Sequence, residues 1–249
     1  MRGRLGTGGG RGMSGLSCRV WAFRNDRGLE ATELALLDSA EKAQAGRLKA
    51  KSDRDAFIKT RAALRSVVGH EAGVSPKNIS FRYSSWGKPS VDVPGQPPID
   101  FSVSHAKGLS VIALAQGARV GVDVEAFRPC PDRIRIAADV FGLDVAQQLL
   151  ALDQGRQDAV FLQLWTAGEA LVKGRGVGFA GTSGKVPVCL AAESSGCVVL
   201  RDDVKTCWTL TQLKLGDEFI GHVVVGALEG ERALARRVEL QMAAGFGSR

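Results

Sequence analysis

The stretch Arg119-Val-Gly-Val-Asp-Val-Glu125 leaves this chain few ways to fold. Val120, Val122 and Val124 alternate with Gly121, Asp123 and Glu125. Side chains of an extended strand point to opposite faces in turn, so the pattern predicts a half-buried β-strand. One face is all valine. The other sets two carboxylates side by side, which repel unless a cation or hydrogen bonds collect them. Further along, Trp165-Thr-Ala-Gly-Glu-Ala-Leu-Val-Lys173 reads as a helix with Glu169 and Lys173 four apart on one face. Laid over the strand, that helix turn would gather three carboxylates and a lysine into a site for a hard metal ion and phosphate. Taken singly, each half has a plainer reading. Asp-Val-Glu suits a solvated edge strand, and Glu169–Lys173 a surface ion pair worth a few tenths of a kcal/mol.

A chain of 249 residues makes one large domain or two lobes of about 110 residues each. Its hydrophobic and charged fractions, 45% and 24%, are those of an ordinary soluble globular protein. The longest apolar run, Val111 to Ala115 with its neighbours, falls far short of the ~20 residues a membrane span needs. Residues 1–15 are rich in arginine and glycine without an apolar core, so they read as a disordered leader rather than a secretory signal, with Met13 a second candidate start. A cytoplasmic protein with no membrane partner is the expectation. Cys18, Cys130, Cys189, Cys197 and Cys207 are odd in number and lack Cys-x-x-Cys spacing, which argues for reduced, mostly buried thiols rather than zinc or disulfides. A net charge of +7 favours anionic partners. Nucleic acid is disfavoured among them, because there is one tyrosine and no basic run interleaved with aromatics.

In order, Cys18–Phe23 reads as a strand and Leu29–Lys51 as a helix with an apolar stripe of Leu34, Leu37, Ala40 and Leu48. Ser52-x-x-Asp55 resembles a capping box opening a second helix, with Phe57, Ala63, Leu64, Val67 and Val68 inside. Lys59, Arg61 and Arg65 are expected on its outer face, and Gly69 at its C-terminal end. Ile79–Tyr83 reads as a strand. Lys88 then sits on a stiff turn between Gly87 and Pro89, and a Pro/Gly-rich loop follows. Ile99–Ser104 alternates again and ends at Ser104-His105 beside Lys107, where hydroxyl, imidazole and ammonium can all donate to phosphate oxygens. A hydrolytic Ser/His pair is rejected, since adjacent strand residues point apart. His222 reads as a packed, hydrogen-bonded core residue. Leu109–Ala115 is an apolar strand, and the turn at Gln116–Ala118 is the expected seam between lobes spanning 16–118 and 119–230. Four strands follow the Lys173 helix, and 231–249 reads as a basic, partly helical tail.

Four ordered motifs, Trp86-Gly-Lys-Pro89, Phe101-Ser-Val-Ser-His105, Gly121-Val-Asp-Val-Glu125 and Trp165 to Lys173, resemble the 4′-phosphopantetheinyl transferases of the two-lobed, single-chain (surfactin-synthetase-activating) type. They cover about residues 80–180, with weaker similarity from about 20 to 230. The resemblance implies an α+β fold of two pseudo-symmetric lobes with the active site at their interface. It implies transfer of phosphopantetheine from coenzyme A to a serine of an acidic apo acyl or peptidyl carrier protein, releasing 3′,5′-adenosine bisphosphate. It further implies Mg²⁺ on Asp123, Glu125 and Glu169, with Glu169 and Asp123 catalytic. Arg47, Lys88, Ser104, His105, Asp123 and Lys173 would contact coenzyme A. Basic residues between Phe127 and Phe141 would steer the carrier, and the enzyme would be a monomer. One position departs: the family usually carries lysine, set against the phosphates, where this chain has Gly168. Either Lys173, Arg175 or Lys185 compensates in an active enzyme, or the chain is a coenzyme A-binding paralogue with weak or no transfer.

Overall fold

The structure, a computed structural model, describes residues 17–91, 98–178, 184–191, 196–201, 207–227 and 237–242, with Ser17 and 237–242 described by backbone alone. The expected leader therefore lies outside the described residues. In chain order the elements are β1 (Ser17–Arg24), α1 (Ala31–Leu36), α2 (Ser39–Arg47), α3 (Lys51–Ala72), β2 (Arg82–Tyr83), β3 (Pro89–Ser90), β4 (Ile99–Ala106), β5 (Leu109–Gln116), β6 (Arg119–Ala126), α4 (Arg133–Val140), α5 (Leu143–Leu150), α6 (Gln154–Arg175), β7 (Val188–Leu190), β8 (Val198–Leu200), β9 (Trp208–Gln212), β10 (Phe219–Gly226) and β11 (Arg237–Met242). This is an α+β fold with two sheet-bearing halves. One sheet runs β11-β1-β5-β4, the other β6-β10-β9.

Alternation along the strands stacks the halves in four layers. Trp21, Phe23, Phe101, Ile112 and Leu114 face Leu64, Val67 and Val68 of α3. The opposite face of the same sheet, through Val20, Val111 and Ala113, meets Val120, Val122, Val124, Val223 and Val225 of the second sheet. Beyond that sheet, Val224 joins α6, with Phe141, Leu164 and Leu171, in a third apolar cluster. β6 is therefore buried on both faces: its valines meet the first sheet and its carboxylate face lies under α6. The expectation of a half-buried strand is corrected, because α6 supplies the missing cover.

Side chains join the sheets along the seam. Asp100, Ser102 and Ser104, every second residue of β4, accept hydrogen bonds from the backbone N–H groups of Val120, Val122 and Val124 at 2.7, 3.1 and 3.4 Å. The outer edge of β6 is thus satisfied without strand pairing.

Several local expectations are corrected. Residues 29–51 form two short helices, because Asp38 and Glu41 make a reciprocal capping box that starts α2. Ser52 caps nothing: α3 begins one residue earlier and Asp55 pairs with Lys51. Gly69 lies inside α3, which ends at Gly73 in the left-handed conformation with φ 64°. Lys59 and Arg65 are buried rather than outward. Lys59 Nζ donates to the carbonyls of Asn25 and Arg27, and Arg65 bonds Asp38, Glu41 and the Ile79 carbonyl. The strand expected at 79–83 is only two residues long, and residues 237–242, expected in a partly helical tail, pair in parallel with β1. None of the five cysteines is in a disulfide, but only Cys18 and Cys130 are buried. Among the described residues no helix is long and apolar enough to cross a membrane.

Candidate functional site

Gly121 sets how the site is built. A β-carbon placed there would lie 1.9 Å from the Ala170 carbonyl oxygen and 2.4 Å from the Gly174 nitrogen. Only a residue without a side chain lets the α6 backbone rest directly on β6. That contact brings the next inward residue, Asp123, beneath the turn that carries Glu169 and Lys173. α6 ends at Gly176, with φ 73°, as the glycines of 174–178 imply.

Asp123 is 5% exposed. Its Oδ1 accepts from Ser104 Oγ and from Lys173 Nζ, both at 2.7 Å. Lys173 Nζ also reaches Ser104 Oγ at 3.3 Å. Asp123 Oδ2 is buried and has no hydrogen-bond partner. Such an orphan is costly unless a ligand answers it. Burial pushes the Asp123 carboxyl above the usual carboxylate range, while Lys173 and Ser104 pull the other way. Glu169 is raised first by burial and then by the charges of Asp123 and Glu125, against the pull of Lys173.

Asp123, Glu125, Glu169, Lys173, Ser104 and His105 line one cavity of about 250 Å³. The structure thus brings together six of the eight residues singled out in the sequence. The exposed His105 and the Lys173 ammonium are its positive or neutral donors, and Glu125 is drawn to Arg128 at 2.6 Å. Among the described residues no three Asp, Glu, His or Cys side chains already converge in a ligand cage. The donor set nonetheless suits a hard divalent ion: carboxylate oxygens around one cavity, one of them buried and unanswered.

A larger cavity of about 320 Å³ shares Val103, Glu169 and Lys173 with the first. Trp86, Phe101, Val172 and Val177 give it apolar walls, and Arg61 and Lys88 basic ones. Lys88 Nζ donates to Asp100 Oδ2 at 2.8 Å and to the carbonyls of Val120 and Gly174, so it ties the two halves together at the cavity wall. Arg47 is exposed and lines neither cavity. Arg61, which the sequence placed merely on a helix face, lines the larger one. It is held by Glu41 and Tyr83 and lies over the Phe81 ring.

Gly168 does not face either cavity. A β-carbon there would meet Phe141 ring atoms at 2.8 and 3.2 Å and Val186 at 3.4 Å, inside the apolar cluster under α6. The expectation that position 168 points toward phosphates is corrected: Phe141 fills the space. His222 is packed and hydrogen-bonded, as expected. Its Nδ1 lies 2.8 Å from Thr166 Oγ1, and burial pulls the imidazole down to about 4. Thr166 had drawn no notice in the sequence beyond its place in the helix motif.

A family model for the 4′-phosphopantetheinyl transferase superfamily matches residues 119–227, beginning at the seam. The chain is 33% identical over 164 residues to the slr0495 protein of Synechocystis sp., 66% of either chain. It is 29% identical to the 4′-phosphopantetheinyl transferase HetI of Nostoc sp. over 77% of this chain and 79% of that one. To the 4′-phosphopantetheinyl transferase Sfp of Bacillus subtilis it is 24% identical, over 78% and 86%. The matched stretches hold both the seam ladder and the carboxylate cavity, and the chain belongs to the 4′-phosphopantetheinyl transferase superfamily.

Proposed function

We propose that this chain transfers 4′-phosphopantetheine from coenzyme A to a serine hydroxyl of an apo acyl or peptidyl carrier protein. The observation that carries the reading is Asp123: a buried carboxylate with one oxygen bonded to Ser104 and Lys173 and the other unanswered, in a cavity shared with Glu125 and Glu169. Asp123, Glu125 and Glu169 would hold Mg²⁺. When bound, the ion neutralises charge on the pyrophosphate of coenzyme A. The larger cavity takes the coenzyme, its apolar walls along the adenosine and pantetheine parts and its basic residues toward the phosphates.

In the transfer, the carrier serine oxygen forms a bond to the phosphorus that bears pantetheine. The bond from that phosphorus to the bridging oxygen breaks, and 3′,5′-adenosine bisphosphate leaves. Glu169 takes the serine proton, and burial, which raises its affinity for protons, suits it to that role. Lys173 and His105 donate to phosphate oxygens and hold the group in line. The exposed Arg128 and Arg135, paired at the surface with Glu125, Asp132 and Asp139, would exchange those partners for an acidic carrier.

The test is the intact mass of several apo carriers incubated with the chain, coenzyme A and Mg²⁺. Gain of one phosphopantetheine is expected. No gain on any carrier, with coenzyme A still retained, would favour the alternative of a binding-only paralogue. That alternative drew its support from the missing lysine, and the packing of Gly168 against Phe141 weakens it. Gly168→Lys should therefore not speed transfer. It should lower stability by about 2 kcal/mol, since the new side chain overpacks Phe141 and brings an ammonium into an apolar cluster. A urea melt beside the mass assay checks both. A lysine variant of full stability and faster transfer would return position 168 to the cavity.

A further inference from the structure

Thr166, Glu169 and Lys173 lie on one stripe of α6, spaced three and four residues apart. The stripe meets the second sheet at two polar points. Lys173 bonds Asp123 on β6, and Thr166 bonds His222 on β10. The points are seven residues apart, about 10 Å along a helix axis. Glu169 sits between them. His222 and Asp123 are directly paired across the two strands, so they share the face that α6 covers.

The lower point is the unusual one. Thr166 is 0% exposed and His222 2%. Thr166 Oγ1 lies 2.8 Å from the Leu162 carbonyl and 2.8 Å from His222 Nδ1; with its single proton on the carbonyl, the Nδ1–H of the imidazole donates to Oγ1. A buried polar pair contributes little more to stability than apolar packing would. What it adds is a fixed register, because both groups are satisfied only in one arrangement. Elsewhere the helix backbone rests on strand backbone over Gly121, and Val224 and Trp208 pack against Gly174. Beside Lys173 and the Arg119 bond to the Arg175 carbonyl at the helix end, the Thr166–His222 bond is therefore the directional contact on the other side of Glu169.

We propose that the Thr166–His222 bond is a positioning device that keeps Glu169 in register over Asp123 while the Lys173 ammonium turns to the anionic substrate. The inference rests on the transferase reading for its catalytic half. Lys173 serves Asp123 in the resting site and phosphate in the loaded one, so it is an anchor that loosens during the reaction. Thr166 and His222 line neither cavity, so their bond has no part in that exchange.

Four variants test it: Thr166→Val, which keeps shape without the hydroxyl; Thr166→Ser, which keeps the hydroxyl; His222→Leu, without a donor; and His222→Asn, with a donor near the Nδ1 position. For each, Mn²⁺ affinity is titrated by electron paramagnetic resonance without coenzyme A. The kcat and the KM for coenzyme A are measured on a carrier the parent chain loads. Thr166→Val and His222→Leu should bind Mn²⁺ several-fold more weakly and lose roughly tenfold or more in kcat, with KM for coenzyme A within about twofold. Thr166→Ser and His222→Asn should recover most of both. A Thr166→Val protein with a lower melting point but unchanged kcat and Mn²⁺ affinity would overturn the proposal, as would equal losses in Thr166→Ser. If neither Thr166→Val nor His222→Leu folds, the pair is a folding requirement and the proposal falls. A parent chain that binds Mn²⁺ but loads no carrier ends the transferase reading alone; the Mn²⁺ affinities of the four variants still judge the positioning.

Discussion

Asp123→Asn should abolish carrier loading, by ~10³-fold or more in kcat, and yet leave the protein as stable as before or more so. The two halves of that expectation have one cause. Asp123 is buried with an unanswered oxygen, and burial raises its carboxyl above the ordinary range even against Lys173 and Ser104. A group whose folded pKa is raised is most comfortable neutral: its stability is full below its unfolded pKa and is lost as pH rises through the folded one. Holding the carboxylate ionised is thus a burden on the fold, which asparagine removes while keeping the shape and the acceptor for Ser104 and Lys173. Thermal melts in a chelator should place the variant level with the parent chain or above it at pH 7. The gap should close as pH falls toward 3.8, the ordinary value of an aspartate carboxyl, where the parent's own raised carboxyl is protonated. A variant that melts well below the parent at pH 7, or one that still loads carrier at a comparable rate, contradicts the account.

Gly121→Ala should be nearly as damaging through geometry alone. The added methyl would sit 1.9 Å from a backbone oxygen and 2.8 Å from the Gly174 α-carbon, and neither can rotate away. α6 must lift or slide by an ångström or more. The loss of stability should be roughly 3 kcal/mol, typical of a methyl forced into a filled interior. Displacing Glu169 and Lys173 from Asp123 should cost a further ~10²-fold in transfer, measured at a temperature where the variant is still folded. Denaturant melts separate the two effects. Normal stability with normal activity would mean that α6 does not rest on β6 as described.

The strand and helix that carry the candidate site were legible because each has a strong period. Three valines alternating with Gly121, Asp123 and Glu125 can be little else than a strand, and Trp165–Lys173 carries no helix breaker but Gly168. What covers what was not legible. α6 is buried over much of its circumference, so its sequence has no clean stripe to reveal the side on which β6 lies. Arg65 and Lys59 read as outward cations because the groups that answer them, Asp38, Glu41 and the carbonyls of Ile79 and Asn25, lie far away in sequence. The break between α1 and α2 was readable in Asp38-x-x-Glu41, a capping box overshadowed by the leucine stripe running through it. Gly168 was misplaced for a simple reason: a motif gives the spacing of residues on a helix but not the direction in which each points. Phe141, twenty-seven residues earlier, settles that direction. The seam ladder did leave a trace, since Asp100, Ser102 and Ser104 repeat the period of the N–H groups they serve.

That ladder also bears on the company the protein keeps with itself. β6 is the end strand of its sheet, and an end strand with free N–H groups is a template on which another molecule can add a strand. Here the vulnerable row is occupied by side chains of β4, and the strand beneath is too rich in valine to be left open. The residues that weld the halves together therefore also guard β6 against edge-to-edge aggregation, and they can do so only while the halves stay closed.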